Sequence, residues 1–128
     1  MFDICKMEWN EVMWMVERLA NKLQGRKLFG MERAGLLVAA MMSYHGCELA
    51  NSYTEADLVI DDIADTGKTL CNVHKSTATL IVRRGCEPMP NYWIMMLNVK
   101  DYVWFPWETE QEHVNFLNAH YKGEKREQ

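Results

Sequence analysis

The sequence predicts an α/β fold in which a mostly parallel central sheet is flanked by helices. Two strand-loop-helix units carry this prediction: Lys27 to Gly30 leads into an apolar helix at Leu36 to Tyr44, and Leu58 to Ile60 leads into a Gly-containing turn. Leu58 to Ile60 is a short apolar run rich in β-branched residues, which is typical of a parallel strand covered on both faces. The chain has 128 residues, enough for one core, and we expect residues 1–128 to form a single domain.

The first helix is predicted from an amphipathic pattern. Apolar residues recur at helical spacing on one face, charged and polar residues lie opposite, and Gly25 ends the pattern. The apolar face consists of Trp9, Val12, Met13, Val16, Leu19, Ala20 and Leu23.

Further strands and a helix complete the predicted architecture. A short strand is expected at Cys47 to Leu49, and an alternating strand at Thr77 to Arg84. The apolar run Tyr92 to Leu97 follows two prolines. The last helix is expected at Glu110 to Tyr121, where one apolar face would pack on the sheet or on a partner.

Two carboxylates follow the apolar run that begins at Leu58. We expect the strand to end at Asp61, which would place Asp61 and Asp62 at its carboxyl end, where open α/β sheets bind their ligands. Two side chains that only accept hydrogen bonds suit a pair of sugar hydroxyls or a metal-bound ligand.

The next turn has the composition of a phosphate-binding loop. Asp65 to Thr69 combine a glycine, two hydroxyls, a cation and the expected start of a helix. Successive backbone N–H groups at a helix N-terminus can hold a phosphate. Gly67-Lys68-Thr69 also ends a P-loop, but that motif needs a glycine where Asp62 stands, so the ATPase motif is excluded. An ordinary strand-to-helix turn with an N-cap is the alternative.

The stretch from Leu58 to Leu70 resembles the phosphoribosyl pyrophosphate (PRPP) signature of the type I phosphoribosyltransferases: an apolar run, two acidic residues, and Asp-Thr-Gly with a following Thr. The resemblance implies that Asp61 and Asp62 hold the ribose hydroxyls, directly or through Mg²⁺, and are therefore the metal ligands. It also implies that the loop binds the 5′-phosphate through Asp65, Thr66, Gly67, Lys68 and Thr69.

A second stretch, Gly30 to Leu37, resembles the pyrophosphate loop of the xanthine-guanine branch of that family. Arg33 falls on the family's Arg, and Ala34 replaces a usual Gly before Gly35. The resemblance implies that Arg33, Ala34 and Gly35 bind pyrophosphate, in a loop that often contains a cis peptide bond. A tight turn with a surface Arg is the alternative.

A third stretch, Tyr102 to Glu108, resembles the tail of bacterial and archaeal xanthine and guanine phosphoribosyltransferases. In that family the tail belongs to a hood over the purine, and here about residues 83–108 would contribute it. By position, Tyr102 would stack on the base and Val103 would offer backbone contacts to the ring edge. Arg83 stands where the family has a Lys that binds the 6-oxo group, and a cation there disfavours adenine. Core packing is the alternative for this aromatic segment.

The three resemblances imply a purine phosphoribosyltransferase that uses PRPP and guanine, xanthine or hypoxanthine, and releases pyrophosphate. Mg²⁺, the expected cofactor, and Arg33 would stabilise the departing pyrophosphate. Asp65 would be the catalytic residue, managing the proton near N7 of the purine as a general acid or base.

Charge and composition limit other functions. The net charge of −4, with no basic stretch before Lys122 to Arg126, argues against nucleic acid as the main partner. No apolar run approaches the ~20 residues of a membrane helix, and no signal peptide is visible, so we expect no membrane association and a cytoplasmic location. The four cysteines are too widely spaced for a zinc knuckle, and we expect them to be structural, as small buried side chains. His113 and His120, ~10 Å apart along one helix, are not expected to share a metal.

One part of the family pattern is missing. Only Ala50 to Asp57 stand where the family has a long flexible loop that closes over PRPP. Either a minimal enzyme is shielded by a neighbouring subunit or by Ala50 to Glu55, or the chain is a non-catalytic PRPP- or nucleotide-binding module with a regulatory role. Asp65 and Arg33 favour the enzyme. The abundance of Met and Trp predicts a homodimer.

Overall fold

The computed structural model describes residues 4–127, and it describes side chains as far as residue 119. The chain forms two compact units. One unit spans Asn10–Val99, and the other combines the described residues up to Trp9 with those from Lys100 onward. About residues 83–108, the expected hood, are thus divided between the two units.

Strands and helices alternate along most of the chain. In chain order, residues 4–127 form β1 (Ile4–Lys6), α1 (Trp9–Lys22), β2 (Lys27–Gly30), α2 (Ala34–Ser43), β3 (Glu48–Leu49), β4 (Leu58–Ala64), a 3₁₀ turn (Leu70–Asn72), β5 (Ser76–Arg83), β6 (Met95–Leu97), β7 (Tyr102–Trp104) and α3 (Glu110–Glu127).

The larger unit is built on a five-stranded sheet with the order β3-β2-β4-β5-β6, in which every neighbouring pair is parallel. The central strands β4 and β5 are the most buried, which explains their continuous apolar runs. The predicted α/β class with a parallel sheet flanked by helices is confirmed.

Helices α1 and α2 of this unit differ in the distribution of their apolar residues. In α1 the predicted amphipathic face is buried at Val12, Val16 and Leu19, whereas Trp9 at its start remains 48% exposed. In α2 none of the ten residues is charged, and the helix packs against β2, β3 and β4. It begins at Ala34, two residues earlier than the sequence predicts.

The signature strand is longer than predicted. β4 continues to Ala64, so Asp61 and Asp62 lie within the strand, and the prediction that it ends at Asp61 is wrong. The reason is the neighbour β5, which stays paired as far as Ala64↔Val82, whereas the pairing with β2 stops at Gly30↔Ile60. Because acidic residues are depleted in strands, composition alone ends the strand too early.

The expected helix after the phosphate loop is reduced to one 3₁₀ turn. This turn ends at Asn72, Val73 is already extended, and β5 begins at Ser76. The short interval leaves no room for further helical turns.

The smaller unit brings distant parts of the chain together. β1 pairs in parallel with β7 in the register Ile4↔Tyr102, Cys5↔Val103 and Lys6↔Trp104. Helix α3 extends beyond the predicted Tyr121, and the side chains of His120 and Tyr121 lie outside the described residues. Of the helices within residues 4–127, none combines the length and apolar content that crossing a bilayer requires.

Candidate functional site

A small cavity lies where the carboxyl end of β4 runs into the predicted phosphate loop. Its volume is about 70 Å³, and it is lined by Asp61 and residues 63–70. On this measure a cavity needs only about 10–15 Å³ to hold a water molecule, so this one has room for a larger group. Every residue predicted to bind the 5′-phosphate is in its lining.

The backbone of this loop offers hydrogen-bond donors. In the described part of the chain, the N–H groups of Thr66, Gly67 and Thr69 donate to no other residue, while the N–H of Lys68 donates to the Thr66 hydroxyl at 3.2 Å. Gly67 has φ +89°, a left-handed conformation that favours glycine. Lys68 is exposed and adds a positive charge. Donors of this kind suit a phosphate.

The predicted pyrophosphate loop packs against the middle of β4, beside Asp61. The Met31 N–H donates to the Ile60 carbonyl at 2.8 Å. Gly35 lies so close that a β-carbon there would collide with the Ile60 carbonyl oxygen and lie 3.2 Å from the α-carbon of Asp61. The peptide bond between Glu32 and Arg33 is cis, as the resemblance implies. Ala34 is the first residue of α2, a position where alanine suits the helical backbone.

The two acidic residues carry unusual protonation behaviour. Burial, the charge of Asp62 and a hydrogen bond with the Asp62 side chain together raise the pKa of Asp61 to about 7, although the backbone N–H of Asp62 acts in the opposite direction. Burial also raises the pKa of Asp62. Their carboxylates accept backbone hydrogen bonds, from the Asp62 N–H to Asp61 at 2.9 Å and from the Ile63 N–H to Asp62 at 2.8 Å. Raised carboxylate pKa values in a cavity are typical of functional sites.

Metal binding would depend on this acidic pair. Within the described residues, no group of three or more His, Cys, Asp or Glu side chains is arranged to hold a metal ion. Mg²⁺ usually keeps several waters and is bound through one or two carboxylates together with substrate phosphates. Asp61 and Asp62 therefore fit Mg²⁺ that arrives with a phosphorylated substrate, and they do not form a complete protein site.

Asp65 and Arg33 were expected to act on the purine and the pyrophosphate. Arg33 is exposed at the start of α2. Asp65 follows β4, and its carboxylate accepts a hydrogen bond from the Nε of Arg83 at 2.5 Å. Arg83, expected to bind the 6-oxo group, thus contacts the residue expected to be catalytic, an arrangement that the sequence analysis missed.

The predicted base-binding residues Tyr102 and Val103 belong to the smaller unit. The Tyr102 hydroxyl hydrogen-bonds His113 Nδ1, and the ring of Tyr102 stacks on Phe116 with 4.7 Å between centroids. Val103 is buried. His113, which the sequence suggested to be a surface or packing residue, is 1% exposed and stacks on Trp104. One face of the Tyr102 ring is therefore covered by α3.

The short segment in place of the family's flexible loop is held away from the site. Lys75, just before β5, donates to the carbonyls of Thr54 at 3.1 Å and Ala56 at 2.7 Å, and its ammonium lies over the Tyr53 ring. Leu58 and Ser76, the first residues of β4 and β5, are register partners, so these contacts lie at the amino ends of the strands. The suggestion that Ala50 to Glu55 shield the site is therefore wrong for Tyr53 onward, since the site lies at the carboxyl ends.

The cysteines occupy packing positions or the surface. Cys47 and Cys86 are buried, Cys5 is partly buried, Cys71 is exposed, and none of the four forms a disulfide with another described residue. None of them lines the cavity at the end of β4.

Comparison with known proteins shows the fold. No protein-family model and no curated protein matches the sequence. Among solved structures, a purine phosphoribosyltransferase from Pyrococcus horikoshii matches with a TM-score of 0.67 and 20% identity, over 84% of this chain and 95% of that one. A xanthine-guanine-hypoxanthine phosphoribosyltransferase from Helicobacter pylori matches with a TM-score of 0.61 and 14% identity, over 88% and 99%. A hypothetical protein from Neisseria gonorrhoeae with bound ppGpp matches with a TM-score of 0.61 and 13% identity, over 93% and 98%. The chain therefore has a phosphoribosyltransferase-type fold.

Proposed function

We propose that this chain, which has the type I phosphoribosyltransferase fold, transfers the phosphoribosyl group of PRPP to a 6-oxopurine and releases pyrophosphate. The observation that carries the proposal is the convergence of three predicted elements along β4, from Ile60 to the carboxyl end of the strand. Asp61, the loop that contains Gly35 and the cavity formed by residues 63–70 all lie there. In open α/β sheets this edge binds ligands.

Each part of PRPP has a matching group in this arrangement. The 5′-phosphate would occupy the cavity and accept hydrogen bonds from the N–H groups of Thr66, Gly67 and Thr69, with Lys68 nearby. Asp61 and Asp62 would accept hydrogen bonds from the ribose hydroxyls and hold Mg²⁺. Bound Mg²⁺ would neutralise charge on the leaving pyrophosphate.

The pyrophosphate would lie against the loop from Gly30 to Gly35. Arg33, Ala34 and Gly35 would bind it, and the charge of Arg33 would favour its departure because negative charge develops on the leaving group. The purine nitrogen forms the new bond to C1 of the ribose as the bond from C1 to the pyrophosphate oxygen breaks. Asp65 would exchange a proton with the purine near N7.

The choice of a purine as the acceptor base is supported by the structural neighbours. Two of the structural neighbours are named as purine or xanthine-guanine-hypoxanthine phosphoribosyltransferases, and the third is described with bound ppGpp, a guanine nucleotide. These names support guanine, xanthine or hypoxanthine as the acceptor. Tyr102 would stack on the base, and Val103 would contribute backbone contacts.

The test is PRPP-dependent formation of the monophosphates of guanine, xanthine and hypoxanthine in the presence of Mg²⁺, with adenine as the comparison base. We expect product with at least one 6-oxopurine, none with adenine, and a large loss of turnover in Asp65→Asn with nearly unchanged PRPP affinity. Absence of product with all four bases would contradict the proposed function.

A binding module without turnover is the second candidate. It is favoured by the position of Tyr53 to Ala56, which are held at the amino ends of the strands and cannot cover PRPP. Calorimetry separates the two candidates: PRPP, GMP or ppGpp binding by a wild-type protein that makes no product would support the module.

We propose a homodimer in which the second copy would shield the site. Helix α2 carries no charge, yet Leu36 is 49% exposed and the adjoining Tyr44 is 88% exposed. An exposed apolar helix face of this kind suits a second copy. Light scattering at micromolar concentration should give a dimer, and Leu36→Lys should give a monomer; a monomeric wild type would refute this assembly.

A further inference from the structure

We infer that Arg83 is a positioning residue that orients the Asp65 carboxylate, and that it is not the group that reads the oxygen of the base. This inference rests on the proposed function, because it assigns a task to Arg83 within that same site. It departs from the role that the family resemblance gives to this position.

Sheet register brings the two residues together. The last register pair between the parallel strands β4 and β5 is Ala64↔Val82, and Asp65 and Arg83 each follow this pair by one residue. Their side chains meet with 2.5 Å between Arg83 Nε and Asp65 Oδ1. This proximity follows from the strand pairing itself and would survive small movements of the loop.

Arg83 is also held from a second direction. Its Nη1 donates to the carbonyl oxygens of Asn98 and Val99, each at 3.1 Å. The Arg83 side chain is only 16% exposed, whereas that of Asp65 is 59% exposed. The Arg83 guanidinium is thus fixed by its other bonds, whereas the exposed Asp65 carboxylate depends on Arg83 for its orientation.

The arrangement of the three bonds made by residue 83 suits an arginine side chain and not a lysine. A guanidinium presents its N–H donors in a rigid planar fork, so Nε can bond Asp65 while Nη1 bonds two backbone carbonyls. The ammonium of lysine is a point charge on a flexible stem and does not reproduce this bridge. To read the base oxygen, Arg83 would have to give up these bonds.

For catalysis, the effect of Arg83 would be to orient the Asp65 carboxylate. An exposed carboxylate samples many rotamers, and proton transfer needs it within hydrogen-bond reach of the purine. By holding Asp65, Arg83 would raise the fraction of productive complexes without touching the base. It also ties the end of β4 to the segment at Asn98 and Val99.

Steady-state kinetics of Arg83→Lys and Arg83→Gln test the inference. A misplacement of 1 Å costs about 10²-fold, so we expect kcat to fall roughly 10- to 100-fold while the KM for the base stays within about twofold. Arg83→Lys should recover little of the loss. In an Asp65→Asn background, Arg83→Gln should have almost no further effect, because the group it orients is absent.

Arg84→Gln is the matched control. Arg84 is the next residue, is exposed, and its loss removes the same charge from the same strand end. We expect Arg84→Gln to leave kcat near the wild-type value. A raised KM for 6-oxopurines together with use of adenine in Arg83→Gln would overturn the inference and assign Arg83 to the base. Full additivity of the effects of Arg83→Gln and Asp65→Asn on kcat would also overturn the inference.

A measurement without turnover separates this inference from the proposed function. NMR order parameters of the backbone amides should fall at residues 65–69 and at 98–99 in Arg83→Gln, and in neither segment in Arg84→Gln. If the wild-type protein makes no product, the proposed function fails, while a joint fall in the order parameters still supports the bridge. Unchanged order parameters in Arg83→Gln overturn the bridge whether or not the protein is active.

Discussion

Gly67 lies against the backbone of Glu87: a β-carbon at position 67 would collide with the Glu87 carbonyl oxygen. The same two segments are joined by a hydrogen bond from the Glu87 N–H to the Thr66 carbonyl at 3.1 Å. The segment after β5 therefore packs against the predicted phosphate loop and leaves no room for a β-carbon at Gly67.

Gly67→Ala should weaken both folding and phosphate binding. The substitution adds a collision to an unfavourable φ of +89°, so we expect a loss of more than about 1 kcal/mol in the free energy of unfolding, measured by urea titration. Gly85→Ala is the matched control, because Gly85 has φ +91° and a β-carbon added there would meet nothing within 4 Å. Equal losses in both variants would show that the Glu87 contact has no effect.

Lys75→Met should release the segment from Tyr53 to Ala56 without affecting the site. The variant keeps an apolar stem but loses the hydrogen bonds to Thr54 and Ala56, which we expect to cost about 1–2 kcal/mol of stability. Amide exchange at residues 53–57 should rise, while PRPP binding stays the same. A change in PRPP affinity would contradict the placement of this segment at the amino ends of the strands.

Mg²⁺-dependent PRPP binding should strengthen as pH rises through about 7. The pKa of Asp61 is raised to about 7, so at pH 6 most of its carboxyl groups are protonated and poor metal ligands, whereas at pH 8 most are ionised. Calorimetry at pH 6 and pH 8 with and without Mg²⁺ measures this. Asp61→Asn should bind weakly at both pH values, and an equal pH response in that variant would assign the effect to another group.

Acid should destabilise the protein through His113. Burial lowers the pKa of His113 from 6.5, with the nearby Glu112 acting in the opposite direction. The folded state therefore binds fewer protons than the unfolded state below pH 6.5, and stability is lost as pH falls through that value.

Comparison of wild type with His113→Gln isolates this effect, since Asp61 titrates in both. Urea unfolding at pH 7 and pH 5 should show a smaller loss in His113→Gln than in wild type. The exposed His74 provides the control, because His74→Gln should lose as much stability as wild type. Parallel losses in all three proteins would rule out His113.

The sequence was informative where the signal is local. The amphipathic period of α1, the strand Lys27–Gly30 and the buried run at Leu58 each lie within a few consecutive residues, and the parallel sheet they predict is confirmed. The pairing of β1 with β7 was not predictable, because Ile4–Lys6 is too short for a periodic pattern and its partner lies near the other end of the chain.

The same distinction holds for the candidate site. The sequence pattern from Leu58 to Leu70 predicted most of the cavity lining, because these thirteen residues are contiguous. The bond between Asp65 and Arg83 depends on the register of two strands, and no local pattern reveals it. The burial of His113 under Trp104 depends likewise on how α3 packs.

The parallel pairing of β1 with β7 has a consequence for how the protein is made. Ile4–Lys6 are translated before the larger unit, but their partner Tyr102–Trp104 is translated only after it. At about 5–20 residues per second, β1 waits roughly 5 to 20 s without a strand to pair with. The larger unit can form during that delay, so we expect the smaller unit to be the last part of the nascent chain to become resistant to protease.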